Sequence, residues 1–374
     1  MGIYRTNNPL EYAEVDGIVI DESAPSPDIQ GVSTNVVLLL GQFERGLEEV
    51  VQVSSTKQFF QEYGDNNSQL GNIQLQNKKM GVLKIRRVVA SDAVASSIIL
   101  LDSSTDPVAT LTAKSKGAYG NNLSVTVEAD TSGKKITLKD LNNNAVLTDE
   151  VYRDVTSLDI ASKLSESSLV DVSAVDDTKT LADLAEANLT SGSDGTLADT
   201  DYEAALGASE AELLANVVFL DEYNATRNTY LKAHASNTQD RMCILAGSLT
   251  ETVTAVEAAV ALLRDTEGRL VYAYNWMQTL IDGVAVFTSP ASWLASIMSQ
   301  TGPQVDPAYA GNTGLLSGVS KVYQEYGRAD YIRLMSAGVA AFERDADVGI
   351  KLKSGVTTQI ANSSKLTIIR RRMA

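Results

Sequence analysis

Between residues 216 and 287 short β-type runs alternate with helical patterns, and this alternation limits the possible folds more than any other stretch. The runs at 216–220, 241–246, 270–274 and 284–287 are almost continuously apolar, which predicts strands buried on both faces. Between the second and third, Ser248-Leu249-Thr250-Glu251 has the spacing of a capping box. It is expected to open a helix with Val253, Val256, Val260 and Leu263 on one stripe. Strand, helix and strand in that order require a right-handed crossover and a parallel sheet covered by helices. The expected fold class is therefore an α/β core, Rossmann-like in its alternation, with further domains attached.

Size permits this, because 374 residues with 44% hydrophobic content can bury a large core divided into two or three domains. No apolar run approaches the roughly 18 residues needed to cross a bilayer, so no membrane insertion is expected. The single cysteine, Cys243, lies inside an apolar strand and has no second cysteine to pair with, so it reads as a packed thiol. A formal charge of −16 opposes nucleic-acid binding, which needs a basic face to release counterions. Between Ser91 and Thr200 there are 14 Asp and 4 Glu against 7 Lys and 1 Arg, so most of the excess lies in one segment. That bias suggests a solvated, self-repelling outer domain.

In chain order, residues 1–21 show no helical stripe or closed hairpin and read as an arm at the start of an inner domain. Residues 22–90 form the first part of the core, with strands at 35–41, 50–53 and 82–89. A helix begins at Ser54 or Ser55, carries Phe59, Phe60 and Tyr63 on its apolar side, and stops at Gly64. Residues 91–199 change in texture: Phe and Trp vanish, Ser, Thr, Asp and Asn dominate, and short strands appear at 97–101, 123–128 and 135–138. This is an inserted, acidic, β-rich outer domain, with one helix near 158–164. Residues 200–350 return to the core, and 351–374 open an inner C-terminal domain that ends at Ala374 without a stop signal.

Motifs of enzyme chemistry are missing from the sequence. The one histidine, His234, excludes a multi-histidine metal site and reads as structural or solvent-facing on a helix. There is no nucleophile elbow, no P-loop and no Gly-x-Gly-x-x-Gly after a central strand. Asp306, Asp345 and Asp347 read as loop acids, and Trp276 and Trp293 as core or interface anchors. Concentrated positive charge occurs at Lys365 and Arg370 to Arg372, where it fits an acidic partner surface or a solvated face.

Three stretches nevertheless carry a family pattern. Val37-Leu38-Leu39-Leu40-Gly41-Gln42-Phe43-Glu44-Arg45-Gly46, followed by Ser54 and Phe59-Phe60-Gln61-Glu62-Tyr63-Gly64, reads as strand, Gly-x-x-x-x-Gly turn and Ser, Phe, Tyr-Gly helix. Ala113-Lys114-Ser115-Lys116-Gly117-Ala118-Tyr119-Gly120-Asn121-Asn122-Leu123 follows Ala-x-Ser-x-Gly-x-Trp/Tyr-Gly-Asn, within the insertion. Residues 189–195, running into Thr200-Asp201-Tyr202, follow a Gly-Gly-x-Asp-Gly junction with Ser191 in place of the first glycine. In these stretches, spanning roughly residues 17–220, the chain resembles the sheath proteins of contractile phage tails, related to those of prophages, tailocins and secretion-type injection machines.

The resemblance implies a non-enzymatic structural subunit that needs no cofactor. It would polymerise helically with other copies of itself around an inner tail tube and contract to drive that tube through a target envelope. Its partners would be further copies, the tail tube protein, and baseplate and tail terminator proteins. Its place would be the virion tail, after synthesis in the bacterial host cytoplasm. Subunit contacts are then expected at Tyr4, Pro9, Leu10 and Tyr12 in the arm, and at Arg370, Arg371 and Arg372. The family normally continues beyond a segment like 366–373, so the resemblance implies a truncated or unusually short member here, and for a truncated form it leaves both helical assembly and a monomer open. The rival class is an α/β enzyme, hydrolytic or nucleotide-dependent, whose site the sequence does not display.

Overall fold

A computed structural model describes residues 36–64, 82–142, 145–212, 214–281, 284–300, 306–309, 318–345 and 349–359. All of them belong to one unit, residues 34–374. The architecture is mixed α/β with several sheets.

The core opens with β1 (Val36–Gly41), whose six residues are all buried. β2 (Val50–Val53) leads to α1 (Thr56–Tyr63), capped by the Ser55 side chain, which accepts from the Gln58 N–H. Gly64 ends α1 at a φ of 77° and a ψ of −170°, an extended positive-φ conformation open essentially to glycine alone and not the left-handed helical one. β3 (Val82–Arg87) then lies parallel to β1 and antiparallel to β2.

The next segment builds two small antiparallel sheets. Its elements are β4 (Ser97–Leu101), β5 (Pro107–Ala113), β6 (Leu123–Ala129), β7 (Lys134–Asn142), β8 (Ala145–Val155), the short α2 (Ile160–Lys163), β9 (Val170–Ser173) and β10 (Leu184–Asn188). One sheet has the order β10-β6-β7-β8, the other β4-β5-β9. Alternate residues such as Val125, Val127, Ile136 and Leu138 turn inward to a core shared with Leu111 and Ile160. The opposite faces carry Thr126, Glu128, Lys135 and Thr137, the period-two pattern of sheets solvated on one side.

The chain re-enters the core through α3 (Asp199–Ala208), then β11 (Val217–Leu220), α4 (Ala225–Thr238), β12 (Met242–Ala246), α5 (Val253–Leu263) and β13 (Leu270–Tyr274). β14 (Met277–Ile281), β15 (Val284–Thr288), α6 (Pro290–Gln300), β16 (Val319–Val322), α7 (Arg328–Ala337), β17 (Val339–Asp345) and β18 (Gly349–Leu352) complete it. The main sheet runs β18-β17-β13-β12-β11-β1-β3-β2; its six inner strands are parallel, and both edge strands are antiparallel. Alternation along each strand feeds two cores. Val37, Leu39 and Phe219 pack with α1 and with Trp293, Leu294 and Ile297 of α6. Leu38, Leu40 and Val218 pack with Tyr202 of α3, Leu231 of α4, Val256 of α5 and Leu334 of α7. Both faces being covered explains why these strands read as unbroken apolar runs.

Two sequence expectations need correction. The run at 284–287 is not a buried strand of the central sheet: β15 pairs antiparallel with β14 in a separate three-stranded sheet, and Val284 is 62% exposed. Ile281 pairs with Val284 across Asp282-Gly283, a dipeptide that signals a two-residue hairpin. The helix after β12 is capped by Thr252, whose side chain accepts from Ala255 N–H, and not by Ser248. Glu251 is engaged elsewhere, accepting from the Tyr272 hydroxyl at 2.9 Å. The stripe of Val253, Val256, Val260 and Leu263 is buried as its spacing predicts. Among the described residues no helix is long and apolar enough to cross a membrane.

Candidate functional site

The three motif stretches meet in space. The turn after β1 presents Arg45, which donates to the hydroxyl of Tyr119, to the Asp140 carboxylate and, at 3.0 Å, to the carbonyl of Phe60. Tyr119 in turn donates to Asp140 at 2.8 Å, and the Arg45 guanidinium carbon sits 4.6 Å from the Tyr119 ring centre. Arg45, Tyr119 and Asp140 are all buried, so each charge is stabilised by its partner and not by water. Burial and the Asp140 hydrogen bond push the Tyr119 hydroxyl well above its ordinary range, which keeps it a donor.

Arg87, the last residue of β3, is the second anchor. Its Nε donates to Phe43 O at 3.0 Å; Nη1 reaches Gly46 O at 3.2 Å, Ser115 Oγ at 3.0 Å and Lys116 O at 2.8 Å; Nη2 reaches Glu44 O at 3.3 Å. One planar guanidinium thus holds the turn after β1 and the segment entering the insertion. That fork is a geometry lysine cannot reproduce. Burial holds its pKa below the ordinary arginine value.

The return junction closes on the same place. Asp194 accepts from Ala118 N–H at 2.8 Å, and Asn121 exchanges two hydrogen bonds with the backbone of Gly192. Gly117 has a φ of +112°, and a Cβ there would lie 2.4 Å from Asp194 Oδ1, so the motif glycine is required twice over. Ser191, standing at the motif's first glycine, takes a φ of 68°. Beside these contacts lies a polar cleft of about 370 Å³ lined by Gln42, Glu44, Arg87, Tyr119 and Asp194.

A second cluster occupies the carboxyl ends of β1 and β11, where ligands of open parallel sheets bind. Asp221 accepts from Gln42 N–H at 2.7 Å, Tyr202 O–H at 2.8 Å and Glu222 N–H at 2.8 Å. Arg227 stacks 3.9 Å over the Tyr202 ring and binds Asp199 and Glu222. At this point the side chains of Asp221, Tyr202 and Arg227 are engaged with one another and with their neighbours in the chain. Removal from water raises the Asp221 carboxyl to about 6.

The residues singled out in the sequence take separate places. His234 is buried on α4, where Arg241 Nη1 lies 3.1 Å from its Nε2; burial and that cation lower its pKa to about 4. Cys243 is buried in β12, and burial pushes its thiol up to about 12. Trp293 is buried and donates to Thr288 Oγ1, while Trp276 donates to Gly247 O. Asp345 pairs with Lys351, Asp306 accepts from Ala308 N–H, and Asp347 lies outside the described residues. Among the described residues no group of His, Cys, Asp or Glu has the arrangement of a metal site. Tyr4, Pro9, Leu10, Tyr12, Arg370, Arg371 and Arg372 also lie outside the described residues.

Sequence reasoning did not single out Arg45, Arg87, Asp140 or Asp221. The available signal was Arg45 inside the first motif stretch, beside Gly46, and the pair Arg86-Arg87 within a strand-like run.

No protein-family model matches the sequence, and no curated protein matches it. Among solved structures, the sheath tail protein of Desulfitobacterium hafniense is 18% identical with a TM-score of 0.62, over 94% of this chain and 78% of that one. The sheath tail protein of Listeria innocua is 16% identical with a TM-score of 0.66, over 89% of this chain and 72% of that one. The chain therefore has the fold of these sheath tail proteins.

Proposed function

We propose that this chain is a structural subunit of a contractile tail sheath, polymerising helically around an inner tail tube and contracting to drive it through a target envelope. The observation that carries the reading is a fold shared with two sheath tail proteins over about nine-tenths of the chain. On this reading the work is mechanical. Each subunit passes from one set of contacts to a lower-energy set, and a gap of a few kcal/mol per subunit sums along the tube. Head-to-tail contacts repeated by a rotation that does not close generate such a filament.

Within this proposal the core comprises residues 22–90 and 200–350, with 91–199 as an outer domain and the ends contributing inner contacts. The core is read as Rossmann-like because β3-β1-β11-β12-β13-β17 follows a doubly wound order. The arm residues Tyr4, Pro9, Leu10 and Tyr12, with Arg370 to Arg372, are proposed to touch neighbouring copies. Tube, baseplate and terminator proteins are the proposed further partners, in a virion tail assembled from subunits made in the host cytoplasm. The enzyme alternative would use the crevice beyond the strand ends. There Asp221, Tyr202 and Arg227 are engaged with one another and with Asp199 and Glu222.

Co-expression with a tail tube protein tests the reading. Co-sedimentation of the two in particles of tube diameter supports it, and separate sedimentation as small species opposes it.

A further inference from the structure

The acidity of this chain is interrupted on one face. α4 contains no Asp or Glu, and α5 contains one acid, Glu257. Arg333 of α7 neutralises that acid through two hydrogen bonds of 3.1 and 2.7 Å. The exposed positions of these two neighbouring helices include Thr229, Ala233 and Ser236 on α4, with Ala255, Ala258 and Leu262 on α5. Leu262 is 81% exposed, more than any other large apolar side chain among the described residues. Surface helices ordinarily carry charged residues opposite their buried stripe, and here three turns of α5 carry none on that side. The cations at the margin are Lys232, whose Nζ lies 3.3 Å from Leu262 O, and exposed Arg264, while Arg333 is already paired with Glu257 and Asp330.

We propose that this outer face of α4 and α5 is a contact surface for a second copy of this chain. The inference rests on the sheath reading and names one of the surfaces that reading requires. Charge selects the occupant. Two bodies of formal charge −16 repel over most of their surfaces and approach at least cost where acids are absent. A basic partner would gain more from the acid-rich segment between Ser91 and Thr200. The marginal Lys232 and Arg264 instead favour an acid-bearing surface on the incoming copy. The contact is then between two different patches, the heterologous kind that propagates into a filament.

The test uses the full chain, with sedimentation velocity over a concentration series and a thermal melt for each variant. Wild type forms larger species as concentration rises. The double variant Ala258→Glu with Leu262→Glu weakens that association by about tenfold or more. It melts within a few degrees of wild type, because both side chains are exposed. Leu262→Gln, which removes only exposed apolar atoms, weakens association in the same direction and less. Val151→Glu, on exposed β8 away from this face, associates as wild type does. Association of the double variant at wild-type strength overturns the surface and leaves the sheath reading standing, and so does an equal loss with Val151→Glu. A wild type that stays a single species at every concentration overturns both.

Discussion

Arg87 Nη1 donates to the carbonyl oxygen of Lys116 at 2.8 Å, so the end of a core strand grips the backbone of the segment that enters the insertion. The same guanidinium holds three carbonyls of the turn after β1, at Phe43, Glu44 and Gly46. The segment that builds the two small antiparallel sheets is therefore tied to the main sheet through backbone atoms, whose positions do not depend on flexible side-chain ends. Arg45 adds a second tie through Tyr119 and Asp140.

Replacing Arg87 by Ala leaves these acceptors buried without a donor, and the expected loss is about 3–5 kcal/mol of unfolding free energy. Arg87→Lys recovers only part of it, since one ammonium cannot reach all the acceptors of a planar fork. Urea denaturation of the three proteins measures this. Equal stability of the lysine variant and wild type would contradict the account.

Ser191 sits at a φ of 68°, a backbone conformation that costs a non-glycine residue about 1–2 kcal/mol. Ser191→Gly removes that cost and adds about 0.5–1 kcal/mol of unfolded-state entropy. The expected result is a small net stabilisation, on the order of 0.5 kcal/mol, read as a higher urea midpoint with an unchanged slope. A lower midpoint would mean that the Ser191 side chain contributes more than its backbone costs.

His234 is the one histidine in the chain, so a single imidazole resonance reports it. Its pKa in the fold is lowered from 6.5 to about 4 by burial and by Arg241. A depressed base stays neutral in the fold while the unfolded chain takes up a proton. Stability from this group is therefore full above about 6.5 and is lost as pH falls towards 4. An NMR titration should give a midpoint near 4, and a midpoint at 6.5 sinks the assignment.

Asp221 has the opposite sign. Its carboxyl is raised from 3.8 to about 6, so the folded chain favours the protonated form. Its favourable contribution is full below the unfolded value and is lost as pH rises through the folded one. Relative to Asp221→Asn, wild type should gain stability between pH 7 and pH 4, by about 1–2 kcal/mol. A difference between the two proteins that stays constant over that range contradicts the raised pKa.

The central strands were legible because burial on both faces leaves a mark in every residue, as in Val217-Val218-Phe219-Leu220. The solvated sheets were harder to read. β6 shows alternation, but β10, Leu184-Ala185-Glu186-Ala187-Asn188, has few β-formers and takes its place through pairing with β6. Val284-Ala285-Val286-Phe287 misled because apolar composition does not distinguish a central strand from an exposed hairpin arm, while the informative Asp282-Gly283 lies just before it. At the junction the glycines were visible and their reason was not. Asp140 lies 95 positions from Arg45, and sequence spacing carries no sign of such a pair.

Negative-stain electron microscopy of the purified chain at high concentration tests the sheath reading most directly. The account predicts helical tubes of uniform diameter whose repeat is built from this subunit. Dispersed single particles at every concentration, with or without a tail tube protein as template, would contradict it.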